Sequence, residues 1–190
     1  MILDLISKSR SYRRFDHNRA ISRAELEALI EAARLSPSAA NLQNLRFFIS
    51  WEDSTNNAIF PHLKWAGYLK YWDGPAPAEQ PSAYILMLSP DHCSKYHLID
   101  TGIAAQSILL KATEMELGGC MIASMDKEAI KDALQIPEEY EICLLIAIGK
   151  PAETVVIDPV IDPDDIEYYR DANDVHHVPK RGLDELIINI

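Results

Sequence analysis

The run from about residue 97 to 116 constrains this chain most. Leu98, Ile99, Ile103, Ala104, Ala105, Ile108, Leu109, Leu110 and Ala112 recur at a spacing that predicts a helix, and they put apolar side chains on nearly every face of it. A helix apolar all round is buried all round. Gly102, Ala104 and Ala105 would let another helix approach closely. Two arrangements satisfy these residues: a central core helix within one chain, or a helix packed against a second subunit. The spacing leaves both open.

Four short apolar segments surround that helix in sequence. Phe47, Phe48 and Ile49 begin one strand; 83–88, 118–123 and 142–148 are the others. Helical or irregular segments separate each from the next. Ser22-Arg23-Ala24-Glu25 has the pattern of a capping box, followed by Leu26, Leu29, Ile30 and Ala33 at helical spacing. Pro37 stops that helix near Leu35. Asp126 caps a further helix through Ala129, Ile130, Ala133 and Leu134, which Pro137 ends. Residues 52–82 read as irregular, with Lys64 to Trp72 an aromatic helix or lid. Buried strands among helices predict a sheet with both faces covered, a three-layer α/β or α+β core. With 190 residues, one core domain is expected over 1–152. Residues 153–190 are rich in acids and prolines and predict an extended C-terminal arm.

Charge narrows the partners. The net charge of −11 argues against a nucleic-acid or anionic-membrane partner, either of which needs a broad basic face. Three cysteines, Cys93, Cys120 and Cys143, are too few and scattered for a disulfide framework, and the last two sit in apolar runs. Neither a signal peptide nor a membrane-length apolar span is visible, so a cytoplasmic location is expected. Yet 4 of the 18 basic residues fall within Lys8-Ser9-Arg10-Ser11-Tyr12-Arg13-Arg14-Phe15. Cations alternating with hydroxyls make either a solvated turn or a seat for phosphate, where each charge-assisted hydrogen bond contributes on the order of 1.5–3 kcal/mol. Ser36-Pro37-Ser38-Ala39-Ala40-Asn41-Leu42-Gln43 is either a plain loop or a set of amides and hydroxyls suited to a heterocycle edge. A second basic pair, Lys180-Arg181, closes the arm; two clusters that met could grip one phosphate from both sides. His176 and His177 lack a third ligand at metal spacing, so no metal site is expected.

Taken in order, Arg10 to Phe15, Ser36 to Gln43, Leu117-Gly118-Gly119-Cys120-Met121-Ile122 and Pro179-Lys180-Arg181 resemble the nitroreductase family of FMN-dependent oxidoreductases. The resemblance implies an α+β fold in three layers, with a central, mostly antiparallel sheet of four to five strands flanked by helices, and a homodimer with FMN sites at the subunit interface and an arm that wraps the partner. By it, Arg10 and Ser11 would hold the FMN phosphate, assisted by Lys180 and Arg181, and Arg13 would sit near the flavin N1–O2 edge. Pro37, Ser38, Ala39 and Asn41 would reach the flavin of the opposite subunit, with Gln43 lining the same site. Met121, Ile122, Ala123 and Ser124 would pass beneath the ring. The flavin carries the chemistry and no catalytic side chain is implied. NADH or NADPH would be a transient donor, and a nitroaromatic, quinone or other small molecule the acceptor, in a ping-pong cycle. Flavin fragmentation, dehalogenation or a non-enzymatic flavin sensor are alternatives on the same scaffold. This chain departs from the family pattern at Ser9, where a cation is frequent, at Asn44-Leu45, where Pro-Trp is frequent, and near Ala123, where an acid is sometimes found. Any lid must come from residues 60–80.

Overall fold

The structure is a computed structural model that describes residues 1–90 and 96–188; Cys93 lies outside them. In chain order the elements are α1 (Ile2–Lys8), β1 (Phe15–Asp16), α2 (Arg23–Arg34), β2 (Arg46–Ser50), α3 (Asp53–Ile59), β3 (Ala83–Pro90), α4 (His97–Glu114), β4 (Gly118–Ile122), α5 (Lys127–Leu134), β5 (Tyr140–Pro151), β6 (Val155–Pro159), β7 (Tyr169–Arg170), β8 (His176–Lys180) and α6 (Leu183–Leu186). The main sheet has five strands, all antiparallel, in the order β1-β5-β3-β2, with β4 also paired to β5. The length of β5 permits this. One side of it runs along β3, and the other carries β4 at 145–149 and β1 at 150–151.

Alternation along the strands separates two cores. Ile85, Met87, Ile146 and Ile148 face α2 and α4, while Tyr84, Leu86, Leu145 and Ala147 face Ile59 of α3 and Ile130 of α5. The result is the three-layer α+β architecture. The capping box at Ser22 starts α2, with the Ser22 hydroxyl accepting from the Glu25 amide at 3.3 Å. Asp126 caps α5 through the Ala129 amide at 3.1 Å.

Four differences from the expectations stand out. Residues 52–82 include the helix α3, whose polar sequence hides its single apolar contact face around Ile59. Lys64 to Trp72 forms no helix: Ala66 has φ 38°, and turns follow. The arm is not merely extended, since β6, β8 and β7 build a second, three-stranded sheet with β6 and β8 parallel. Finally, α4 is not buried all round within the chain. Asp100, Ala104, Ala105, Ile108 and Leu109 face inward, but Leu98 and Ile99 are 67% and 59% exposed, because the sheet covers only one side of the helix.

Candidate functional site

The basic stretch after α1 lies flat against β4. Ser11 bridges to Gly119 in parallel register, and the Tyr12 amide donates to the Gly119 carbonyl at 3.1 Å. Gly118 permits this approach, and Gly119 permits the pairing of β4 with β5. A Cβ on Gly118 would stand 2.5 Å from the Tyr12 ring, and one on Gly119 would stand 2.5 Å from the Ala147 carbonyl oxygen. From the other direction, β8 brings the end of the arm to the same place. Its period of two puts His176, Val178 and Lys180 on one face.

These segments enclose a cavity of about 350 Å³, with Arg10, Ser11, Arg13, Met121, His176 and Lys180 in its wall. Leu109 of α4 and Val178 supply apolar surface. A smaller cleft of about 170 Å³ continues along β4, lined by Ile122, Ala123 and Ser124 together with Trp65 and Gly67. Arg13, Met121 and Tyr168 border both spaces.

The cations of this wall are held by neutral groups. Arg10 Nη2 donates to the Ile6 carbonyl at 2.7 Å, while its buried Nε has no partner among the described residues. Arg13 is 9% exposed; its Nη1 donates to the Ser11 carbonyl at 3.2 Å and to His176 Nε2 at 3.1 Å. The ring of Tyr168 lies 4.5 Å from the Arg13 guanidinium carbon. Burial first, and the Arg13 charge second, push His176 down to about 4. Cys120, on the floor strand, is raised by burial and stays a thiol.

Of the residues predicted from sequence, Arg10, Ser11, Arg13, Met121 and Lys180 meet at the cavity, and Ile122, Ala123 and Ser124 at its continuation. Pro37, Ser38 and Gln43 do not join them within the chain. They line a separate pocket of about 280 Å³ beside Asp100 and Ala104 of α4. Ala39 and Asn41 shape that turn: the Ala39 amide donates to Asp100 Oδ1 at 2.9 Å, and Asn41 adopts φ 55°. Arg181 is turned away from the cavity. Just past the end of β8, it donates to the Pro163 carbonyl and pairs with Glu185 at 3.3 Å. Tyr168 and His176 were not expected as wall residues. The alternation His176, Val178, Lys180 carried the signal for His176, once 176–180 is recognised as a strand. No group of three His, Cys, Asp or Glu side chains able to hold a metal occurs among the described residues, and no helix among them is long and apolar enough to cross a membrane.

Comparison with known proteins bears on this geometry. Residues 6–150 match the family model described as Nitroreductase family. The chain is 24% identical to protein DrgA of Synechocystis over 177 residues, spanning 79% of this chain and 84% of that protein. Among solved structures, a nitroreductase family protein from Clostridium novyi superposes with a TM-score of 0.67 at 26% identity, covering 80% of this chain and 85% of its own. An FMN-dependent nitroreductase from Clostridium difficile gives 0.63 at 22% identity, covering 80% and 88%. The chain belongs to the nitroreductase family.

Proposed function

We propose that this protein is an FMN-dependent oxidoreductase that draws electrons from NADH or NADPH and delivers them to a small acceptor such as a nitroaromatic or quinone. One observation carries the reading. In a chain of net charge −11, Arg10, Arg13 and Lys180 surround one cavity, and none of their three charged side-chain groups pairs with a carboxylate among the described residues. Eighteen basic residues face twenty-nine acids, so unpaired cations gathered at one place fit an anionic ligand. The partnerless Nε of Arg10 fits the same ligand. The cavity and its continuation fall in the usual size range of cofactor sites, about 300–1,000 Å³.

Arg10, Ser11 and Lys180 would hold the phosphate of FMN, and Arg13 would face the polar edge of its ring. Bound FMN supplies the hydride acceptance and release that no side chain here can perform. The chain contributes binding, orientation and electrostatics. Arg13 sets positive charge where negative charge gathers on reduction. Leu109, Met121 and Val178 keep water from that region. Donor and acceptor would use the same open face in turn, with protons from solvent. Pro37, Ser38, Ala39, Asn41 and Gln43 would complete the site of a second copy. The exposed Leu98, Ile99 and Ile103 of α4, with Ile2, Leu3 and Ile6 of α1, are the apolar surface across which two copies would pair.

Purification tests the reading. The protein should be yellow, and anaerobic NADH or NADPH should bleach it; a colourless protein that FMN cannot reconstitute overturns it. Arg10→Gln combined with Lys180→Gln should weaken FMN binding about tenfold or more, from the loss of charge-assisted hydrogen bonds. Intact FMN after aerobic turnover separates electron transfer from flavin fragmentation. Reduction of an acceptor at the expense of NADH or NADPH separates it from a sensor.

A further inference from the structure

The carboxylate nearest Arg13 does not pair with its guanidinium. Glu153 has a side chain only 2% exposed, and its Oε1 accepts the backbone amides of Arg13 and Arg14. Its Oε2 takes the guanidinium of Arg170 at 2.8 Å. Glu153 thus fixes the backbone of the basic stretch while its charge goes to another arginine.

The Arg13 guanidinium is met instead by His176, which is 1% exposed. A guanidinium only donates, so His176 Nε2 must accept, and the imidazole is the neutral form with its proton on Nδ1. That Nδ1 is buried without a partner among the described residues. Charged groups around the ring are Arg13, Glu153, Arg170 and the neighbouring His177, and Tyr168 covers its face at 5.3 Å between ring centres. Burial among them keeps the ring neutral across the physiological range.

We propose that His176 is a positioning residue: its neutral imidazole aims the Arg13 guanidinium into the cavity without offsetting its charge, which stays available to the negative edge of the ligand. The inference rests on the flavin reading above and assigns a purpose to the arm. The strand that delivers Lys180 to one end of the cavity also orients Arg13 from the other side. An acid in place of His176 would align the guanidinium equally well but would use up the charge.

Three variants of the full chain separate alignment from charge. His176→Gln keeps an accepting oxygen and should bind FMN within about threefold of the natural protein, whereas His176→Ala should lose about tenfold, the worth of one hydrogen bond to a charged group. His176→Glu should lower the reduction potential of the bound flavin, and His176→Gln should leave it near the natural value. Long-range nitrogen–proton NMR on the ligand-free protein should find the His176 ring protonated at Nδ1 and unchanged from about pH 8 to about pH 5. A protonated Nε2, a titration within that range, or equal potentials in the Glu and Gln variants would overturn the proposal. If the natural protein binds no FMN, the functional reading fails and the NMR result alone decides on the orientation of Arg13. If it binds FMN and His176→Glu matches it in affinity and potential, only the role of His176 fails. Should His176→Glu not fold, the Gln–Ala contrast decides.

Discussion

β3 and β8 are both paired on two sides, and they share little else. Residues 83–88 of β3 are all buried, sealed on one face by α2 and α4 and on the other by α3 and α5. In β8 only His176 is fully buried. Charges rather than packing hold the strands around it. His177 lies between Asp158 of β6 at 2.6 Å and Asp171 just after β7 at 3.6 Å, and its ring stacks on Tyr169. Arg170 reaches back to Glu153. The main sheet is therefore stabilised by apolar burial, which acts on the whole domain at once. The small sheet depends on a few polar pairs, the kind of structure that opens locally and at lower cost. The part of the molecule that brings Lys180 and His176 to the cavity is thus the part least secured by the core.

The largest expected effect comes from breaking the first sheet. Phe15 is fully buried and stacks over the bare Gly149, joining β1 to β5. Phe15→Ala should cost about 3–5 kcal/mol and lower the urea midpoint of the entire fold. Glu153→Ala comes next. It strands the mostly buried Arg170 and two backbone amides, for about 3 kcal/mol, but the loss should fall on the arm. Limited proteolysis after residue 152 should accelerate while hydrogen exchange in β3 stays slow. If β3 amides exchange faster in step, the two sheets form one cooperative unit and the contrast drawn here collapses.

A smaller effect sharpens the contrast through pH. The hydrogen bond to Asp158 raises His177 above its ordinary value of 6.5. Its stabilisation is therefore fully present below about 6.5 and lost as pH rises through the higher folded value. After correction for intrinsic rates, β8 amides should exchange faster near pH 8.5 than near pH 6, with β3 unaffected. Smallest of all, about 1 M NaCl should loosen the half-exposed His177 pairs slightly and leave the buried Arg170–Glu153 pair in place, as read from the same amides.

The same difference governs what the sequence could reveal. Continuous apolar runs announced 83–88, 118–123 and 142–148, the second overrunning the end of β4 by one residue, since burial on both faces leaves a pattern in composition. Ser22 and Asp126 announced their helices by local chemistry. The small sheet left a much weaker trace. Val155-Val156-Ile157 of β6 is a short β-branched run in a segment otherwise rich in acids and prolines, β7 has two residues, β8 carries two histidines and a proline, and their pairing depends on contacts such as His177 with Asp158, nineteen positions away. The site divides likewise. Arg10 and Lys180 were legible as cations out of place in an acidic chain. Which of two adjacent basic residues enters the cavity was not, because it turns on where β8 ends: Lys180 is its last residue, and Arg181 beyond it pairs with Glu185.

Gly118 and Gly119 bear on how the N-terminal stretch finds its seat. The first dozen residues carry no apolar core of their own: none of α1 is buried. They settle where β4 presents bare backbone at Gly118, beside the cavity. Recognition here works by omission. A methyl group at Gly118 would meet the ring of Tyr12, while one at Gly119 would meet the carbonyl of Ala147, which is fixed within the sheet and cannot swing aside as a side chain could. The first vacancy thus acts as an address for the amino end, and the second keeps in place the strand that bears it.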